Sequence, residues 1–473
     1  MKPSSSPKIS AVTARESMPK ILPGVTDKSG DAAPQRSPPT AEHSRYRGIV
    51  AAADDHVDDL VDFIQACPSS YHTAMEVARR LSDVGFVIQG ETEAWDSSPG
   101  GHVVVRDGAV LAWRIPDGAD GLTPFRMIGS HTDSPAFKLK PKPDLSGFGY
   151  GQLGVEIYGG PLLNSWLDRE LGVAGRLVTD GGATLVQSQS IARIPQLALH
   201  LDRGVNDDGL KLDKQRHTAP LWAVGDSQGS ILDHLAELEG MAAADVLGFD
   251  LTIFDTAPPV IFGAASEFLA SRRLDNLVSV HAGLTALINV ADVQAIPLLA
   301  AFDREEIGSQ SRSGASGPLL ADVMGRIFAS LGADDEQRAR ALARSACLSA
   351  DAGHAIHPNY PERHDPANRP VLNGGPLLKI NSNQRYATGP QGAALWRRAC
   401  RRAGVATQEF VSNNTVPCGS TIGPLTATRL GVQTVDVGIP LLSMHSAREL
   451  AGVGDPPALA RAMEAFLSLE GTP

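Results

Sequence analysis

Apolar residues along the chain change their spacing three times, and each change predicts a different kind of element. From Val57 to Ser82, Leu60, Phe63, Ile64, Ala74, Val77 and Leu81 recur at helical intervals, with Pro68-Ser69-Ser70 as a break between two helices. Short apolar runs follow at Val103 to Val105, Leu111 to Ile115 and Phe125 to Gly129, and they predict buried strands. Between Lys138 and Phe262 the texture becomes Gly-rich and strand-like, as in Gly154 to Tyr158, Gly172 to Val178 and Gln196 to Leu201. After Leu274 the alternation returns: Leu277 to Val290 as helix, Ala295 to Phe302 as strand, Leu319 to Leu331 as helix and Thr434 to Val437 as strand. This order predicts an α/β fold, a mixed, largely parallel sheet covered by helices, formed by residues 55–137 and 263–473. Residues 138–262 are predicted to form an inserted β-rich domain.

Residues 1–40 contain seven prolines and seven serines among scattered Lys and Arg. Such a mixture buries too little apolar surface to offset chain entropy, so residues 1–54 are expected to be a disordered extension. Its Arg and Ser content also suits an organelle transit peptide, which the prolines oppose by breaking an amphipathic helix. The whole chain has 473 residues, enough for two or three domains. Its 42 Lys and Arg against 53 Asp and Glu give a net charge of -11, which offers no footing for nucleic acid or an anionic membrane. No run approaches the roughly 20 apolar residues of a membrane span, and no signal peptide core is present. Cys67, Cys347, Cys400 and Cys418 are too scattered for a disulfide framework, which fits a reducing cytoplasm.

Chemistry concentrates in polar knots that follow the apolar runs: Ser130-His131-Thr132-Asp133-Ser134, Arg273-Leu274-Asp275-Asn276, Arg304-Glu305-Glu306-Ile307-Gly308, Ala350-Asp351-Ala352-Gly353-His354 and Met444-His445-Ser446. In open α/β sheets ligands gather beyond the carboxyl ends of strands, where His131, Glu305, Glu306, Asp351 and His445 all fall. Imidazole and carboxylate are the donors that hold divalent zinc or manganese, and a pair of ions needs one bridging carboxylate. Two cations supply +4; Asp275, Glu306 and Asp351 return -3, so with one hydroxide the site is near neutral. Glu305 is then free to shuttle a proton, and Asp133 can fix the ring of His131 by accepting its other N–H. Asp303 is a weaker candidate for similar support. Singly, each piece has a plainer reading: a turn for His131-x-Asp133, a helix cap for Asp275, a solvated loop for the acidic pair. Cys418, Trp166 and Trp222 read as packing, and Arg397, Arg398, Arg401 and Arg402 as a solvated helix face.

The chain resembles the aspartyl aminopeptidase family from about residue 55 onward. The phrases that carry the likeness are Ser130 to Pro135, Asn164-Ser165-Trp166-Leu167-Asp168-Arg169, Arg273 to Asn276, Glu305 to Ser309, His354-Ala355-Ile356-His357-Pro358-Asn359-Tyr360, Lys379-Ile380-Asn381 with Gln384-Arg385-Tyr386, Cys418 to Pro424 and Met444-His445-Ser446. The resemblance implies one metal on His131, Asp275 and Asp351 and a second on Asp275, Glu306 and His445, with Asp275 bridging and Glu305 as base and acid. It implies zinc, while a carboxylate-rich donor set also accepts manganese or cobalt, and it implies an inserted domain that makes dimers which assemble into a dodecamer. His200 matches a residue that reaches the neighbouring subunit's active site. Lys379 and His357 match the lining of the substrate pocket, which favours a peptide beginning with Asp or Glu. Asn413-Asn414-Thr415 departs from the family pattern, and relatives with the same metal set prefer neutral residues. An N-acyl amino acid amidohydrolase, or a silent assembly protein, would use the same shell.

Overall fold

A computed structural model describes residues 55–95, 98–225, 229–291 and 293–471. The expected disordered extension, residues 1–54, lies outside them.

Four strands at the middle of a nine-stranded sheet carry the fold: β1 (Phe125–His131), β2 (Ile296–Phe302), β3 (Ala346–Ala350) and β4 (Gln433–Gly438). They run parallel in the order β2-β1-β3-β4, so their carboxyl ends open on the same edge. Every residue of β1, β2 and β3 is buried, as expected of parallel strands covered on both faces. Alternate side chains divide between two cores. Ile128, Leu299, Leu348 and Val435 pack against helices at residues 55–66, Ser70–Asp83, Leu274–Asn289, Pro390–Ala403 and Asp455–Leu467. Met127, Leu298, Ala300 and Cys347 face the helices Leu319–Ser330, Asp335–Ala343 and Ile422–Leu430. Trp396, fully buried in the first core, is a residue whose truncation to Ala should cost about 3–5 kcal/mol.

The predicted break at Pro68-Ser69-Ser70 is a helix cap, the Ser69 hydroxyl accepting from the His72 N–H. The Gly-rich stretch forms a separate six-stranded sheet, with strands Ala136–Gly147, Tyr150–Tyr158, Leu171–Thr179, Gly182–Gln187, Leu221–Val224 and Gly248–Asp255. All its pairings are antiparallel, and Phe137, Leu153, Val173 and Leu251 bury one face with Ile231 and Leu235 of a helix whose start is fixed by a Ser230/Asp233 capping box. Two sequence expectations differ here. Gln196 to Leu201 is not a strand: pairing stops at single bridges of residues 192–194, and Leu197, Leu199 and Leu201 stand exposed beside a turn. Alternation gave them one face, but no neighbouring strand satisfies their backbone. Val260–Phe262, expected in the insertion, pairs instead with Phe268–Ser271 at the edge of a five-stranded sheet that also holds Glu449–Gly452, Pro440–Leu442 and Gly353–His354.

Candidate metal centre

The shared strand edge brings the polar knots together. His131 is the last residue of β1, Asp351 the first after β3, and Glu305 and Glu306 lie in a 3-10 turn just past β2. Asp275 opens the helix Leu274–Asn289 with a non-helical backbone and a cis peptide to Asn276, and His445 follows strand Pro440–Leu442. The Asp275 carboxylate does not cap its helix. Its Oδ1 lies 3.4 Å from His131 Nε2 and its Oδ2 3.5 Å from His445 Nε2. His131 Nε2 is also 3.5 Å from Asp351 Oδ1, and His445 Nε2 is 3.5 Å from Glu306 Oε2. Two donor triads result, His131/Asp275/Asp351 and Asp275/Glu306/His445, the donor atoms of each within 4.8 Å of one another, and Asp275 belongs to both. A third grouping, His131/Glu305/Glu306, joins them.

The chemistry of this donor set fits divalent cations. Asp275 Oδ1 and Glu306 Oε1 are buried and make no hydrogen bond among the described residues. Burial, and then the charge of Asp275, push the Glu306 carboxyl far above its ordinary range. Burial lowers the affinity of His131 for a proton, yet the nearby carboxylates of Asp133, Asp275 and Asp351 raise it overall. Protons thus answer an excess of negative charge that cations would answer better.

The supporting contacts were less visible in the sequence. His131 Nδ1 is hydrogen-bonded to the carbonyl of Asp133 at 3.1 Å, whereas the Asp133 carboxylate, 3.5 Å away, has other work. It accepts the backbone N–H of Glu305 (3.0 Å), that of Glu306 (3.1 Å) and the Tyr158 hydroxyl (2.7 Å). Tyr158 ends a strand of the six-stranded sheet, and the segment just past that strand reaches His445. The Gly160 carbonyl lies 3.1 Å from His445 Nδ1, and the Leu162 N–H donates to the His445 carbonyl at 2.9 Å. Glu449 is a second buried carboxylate beside the triads, and burial, then Asp275, raise it to about 8. Sequence reasoning missed Tyr158, Gly160 and Glu449, because no motif marks contacts made across such separations.

The remaining expected residues are less uniform. Glu305 sits beside the triads and is pushed up to about 8, by burial first and then by Asp351, Asp133 and Asp275 against an opposing His131. Lys379 ends the strand Leu377–Lys379 and is 1% exposed; its ammonium donates to the Ala352 carbonyl at 2.7 Å, lies 3.8 Å from Asp351 Oδ2 and faces the Tyr386 ring. His357 is on the loop after Gly353–His354, stacked edge-on near Tyr360 and accepting from the Asn359 N–H. His200 is not gathered into this cluster; it stands exposed on the turn beside Leu199 and Leu201. Asp303, offered as similar support, accepts from the Arg304 N–H at 3.0 Å. Trp166 is core against Phe137, and Arg397, Arg398, Arg401 and Arg402 do form an exposed helix face.

Residues 63–467 match the family described as Aminopeptidase I zinc metalloprotease (M18). The chain belongs to the M18 aminopeptidases. It is 52% identical over 420 residues to a probable M18 family aminopeptidase 2 of Streptomyces coelicolor, which covers 87% of this chain and 97% of the relative. Among solved structures it is similar to a chain in the cryo-EM structure of the Ape4 and Nbr1 complex, with 33% identity, a TM-score of 0.85 and coverage of 88% and 86% of the two chains. The S. cerevisiae mApe1 dodecamer is similar at 30% identity and a TM-score of 0.77, covering 89% and 97%. As an M18 aminopeptidase the chain is a hydrolase of the zinc metalloprotease class, so the resemblance read from its motifs holds at the level of the family.

Proposed function

We propose that this M18 aminopeptidase removes the N-terminal residue of peptides, preferably Asp or Glu, with two divalent cations held by the two triads. Asp275 carries the proposal: it turns one carboxylate oxygen to each triad, the arrangement a bridging ligand requires. Bound there, the ions, zinc by family and manganese or cobalt by ligand chemistry, would supply Lewis-acid polarisation of the scissile carbonyl and activation of water. Glu305, beside both triads, takes the proton of the attacking water and returns it to the departing amine; its raised affinity for protons suits both tasks near neutral pH. His200 acts from a partner subunit, stabilising the oxyanion, within a homo-oligomer of dimers assembled into a dodecamer; the similar mApe1 structure is a dodecamer, which supports the count. Its exposure beside apolar Leu197, Leu199 and Leu201 supports that placement. Lys379 supports the acidic preference as a buried cation beside Asp351, with His357 on the neighbouring loop. The free thiols of Cys67, Cys347, Cys400 and Cys418 suit a cytoplasmic site of action, and no helix among the described residues is long and apolar enough to cross a membrane.

Glu305→Gln tests the chemistry. Turnover of an aspartyl-anilide should fall by about 10²–10⁴-fold while two ions per chain are retained. Near-normal turnover would remove Glu305 from the mechanism, and a single ion in the wild-type chain would remove the binuclear reading.

A further inference from the structure

We infer that Glu449 is the positioning residue of the second cation site, binding no ion itself but holding the main chains of two ligands, Asp275 and His445, in register. The inference rests on the two-cation reading above. One oxygen of the Glu449 carboxylate, Oε2, accepts the Asp275 backbone N–H at 2.9 Å, and the other, Oε1, accepts the His445 backbone N–H at 2.7 Å. The two ligands are 170 residues apart in sequence, and Glu449 ties them together.

Both clamped segments need an external hold. Asp275 and Asn276 depart from helical angles at the start of their helix, and His445 has a φ of +67°, a region that non-glycine residues rarely occupy. Neither conformation is maintained by a repeating hydrogen-bond ladder. Glu449 supplies the constraint from a rigid base, because it begins strand Glu449–Gly452, and Ser271, directly opposite it in the antiparallel partner strand, leads into Arg273 and Asp275. It is 2% exposed, so water does not replace it. On the other side of the centre Asp133 treats Glu305 and Glu306 in the same way. Carboxylates that accept peptide N–H groups thus fix the backbone of Asp275, Glu305, Glu306 and His445.

Glu449 touches two members of the Asp275/Glu306/His445 triad and only one of the His131/Asp275/Asp351 triad, so its loss should weaken one site more than the other. Glu449→Gln keeps the volume but offers one acceptor and an NH₂ group where two N–H donors point. The experiment is zinc titration of the metal-free full chain against a competing chelator, read beside the absorption spectrum of the cobalt-substituted protein and the Tm of the metal-free form. Wild type should take up two ions. Glu449→Gln should retain one at near wild-type affinity, bind the other about 10–100-fold more weakly and alter the cobalt spectrum, with little change in metal-free Tm. Wild-type affinity at both sites overturns the inference, and so does equal weakening of both in proportion to a lowered metal-free Tm, which marks a general fold defect. If Glu449→Gln does not fold, Glu449→Asp decides. Its shorter carboxylate reaches one N–H and should give the same selective loss in milder form; two ions held as in wild type overturn the inference. Uptake of a single ion by wild type instead defeats the two-cation reading, a different failure.

Discussion

Lys379 occupies a position with two competing uses. Its ammonium is committed to the Ala352 carbonyl and lies 3.8 Å from Asp351 Oδ2, yet it stands beside the triads, where an acidic substrate side chain would need a cation. Lys379→Met separates these roles. If Lys379 reads the substrate, the ratio of kcat/KM for Asp-first over Ala-first peptides should fall by 10-fold or more, as expected for loss of a charge-assisted contact of about 1.5–3 kcal/mol. If it serves only Asp351, both substrates should lose turnover together and the ratio should hold. A panel of first residues measured on wild type and variant gives the answer. At this scale the residues of the two triads were legible, because imidazole and carboxylate at strand ends have few other reasons to recur. Their hydrogen-bond partners were not. Asp133 was visible as a neighbour of His131, but its carboxylate serves Glu305 and Glu306, 172 and 173 residues away. Sequence spacing carries no information about such a contact.

Among elements, what could be read depended on whether burial alone specifies them. β1 and β2 are buried on both faces, so their apolar runs ended within a residue or two of the observed strands. Gln196 to Leu201 has the right alternation and no partner, and pairing, unlike periodicity, is decided elsewhere in the chain. Helix packing also sets a pH response that no motif announces. His56, in the helix at residues 55–66, stacks at 4.7 Å on His281 of Leu274–Asn289, whose Nε2 is 2.8 Å from Asp59. Burial, then His281, lower His56 to about 3, and His281 is lowered too, chiefly by burial. A histidine depressed in the folded state binds more protons when unfolded, so its contribution is complete above the ordinary value near 6.5 and is lost as pH falls from there toward 3. His56→Phe should therefore match wild type in Tm at pH 7.5 and exceed it at pH 5, compared at equal metal loading. A constant difference across that range would show that His56 does not titrate on unfolding.

At the scale of the whole molecule, the six-stranded sheet is joined to the metal centre rather than hung beside it. Tyr158 holds Asp133, and Gly160 and Leu162, just past its strand, hold His445, so the sheet and the segment leaving it touch two parts of the site. That coupling gives the proposed role of His200 a direct test. If each site uses its own Glu305 and the His200 of its partner, a dimer of one His200→Ala chain and one Glu305→Gln chain contains one intact site. The His200→Ala chain keeps Glu305 and receives His200 from its partner, while the reciprocal site has lost both. Each variant expressed alone should be nearly inactive. Co-expressed with random pairing, half of the dimers are mixed and have one working site of two, which restores about a quarter of wild-type activity for a two-fold symmetric contact. Activity no greater than that of the two variants measured separately would place His200 outside the partner's site. Recovery that disappears on dilution to monomer and returns on reassembly would tie the restored chemistry to the contact between chains.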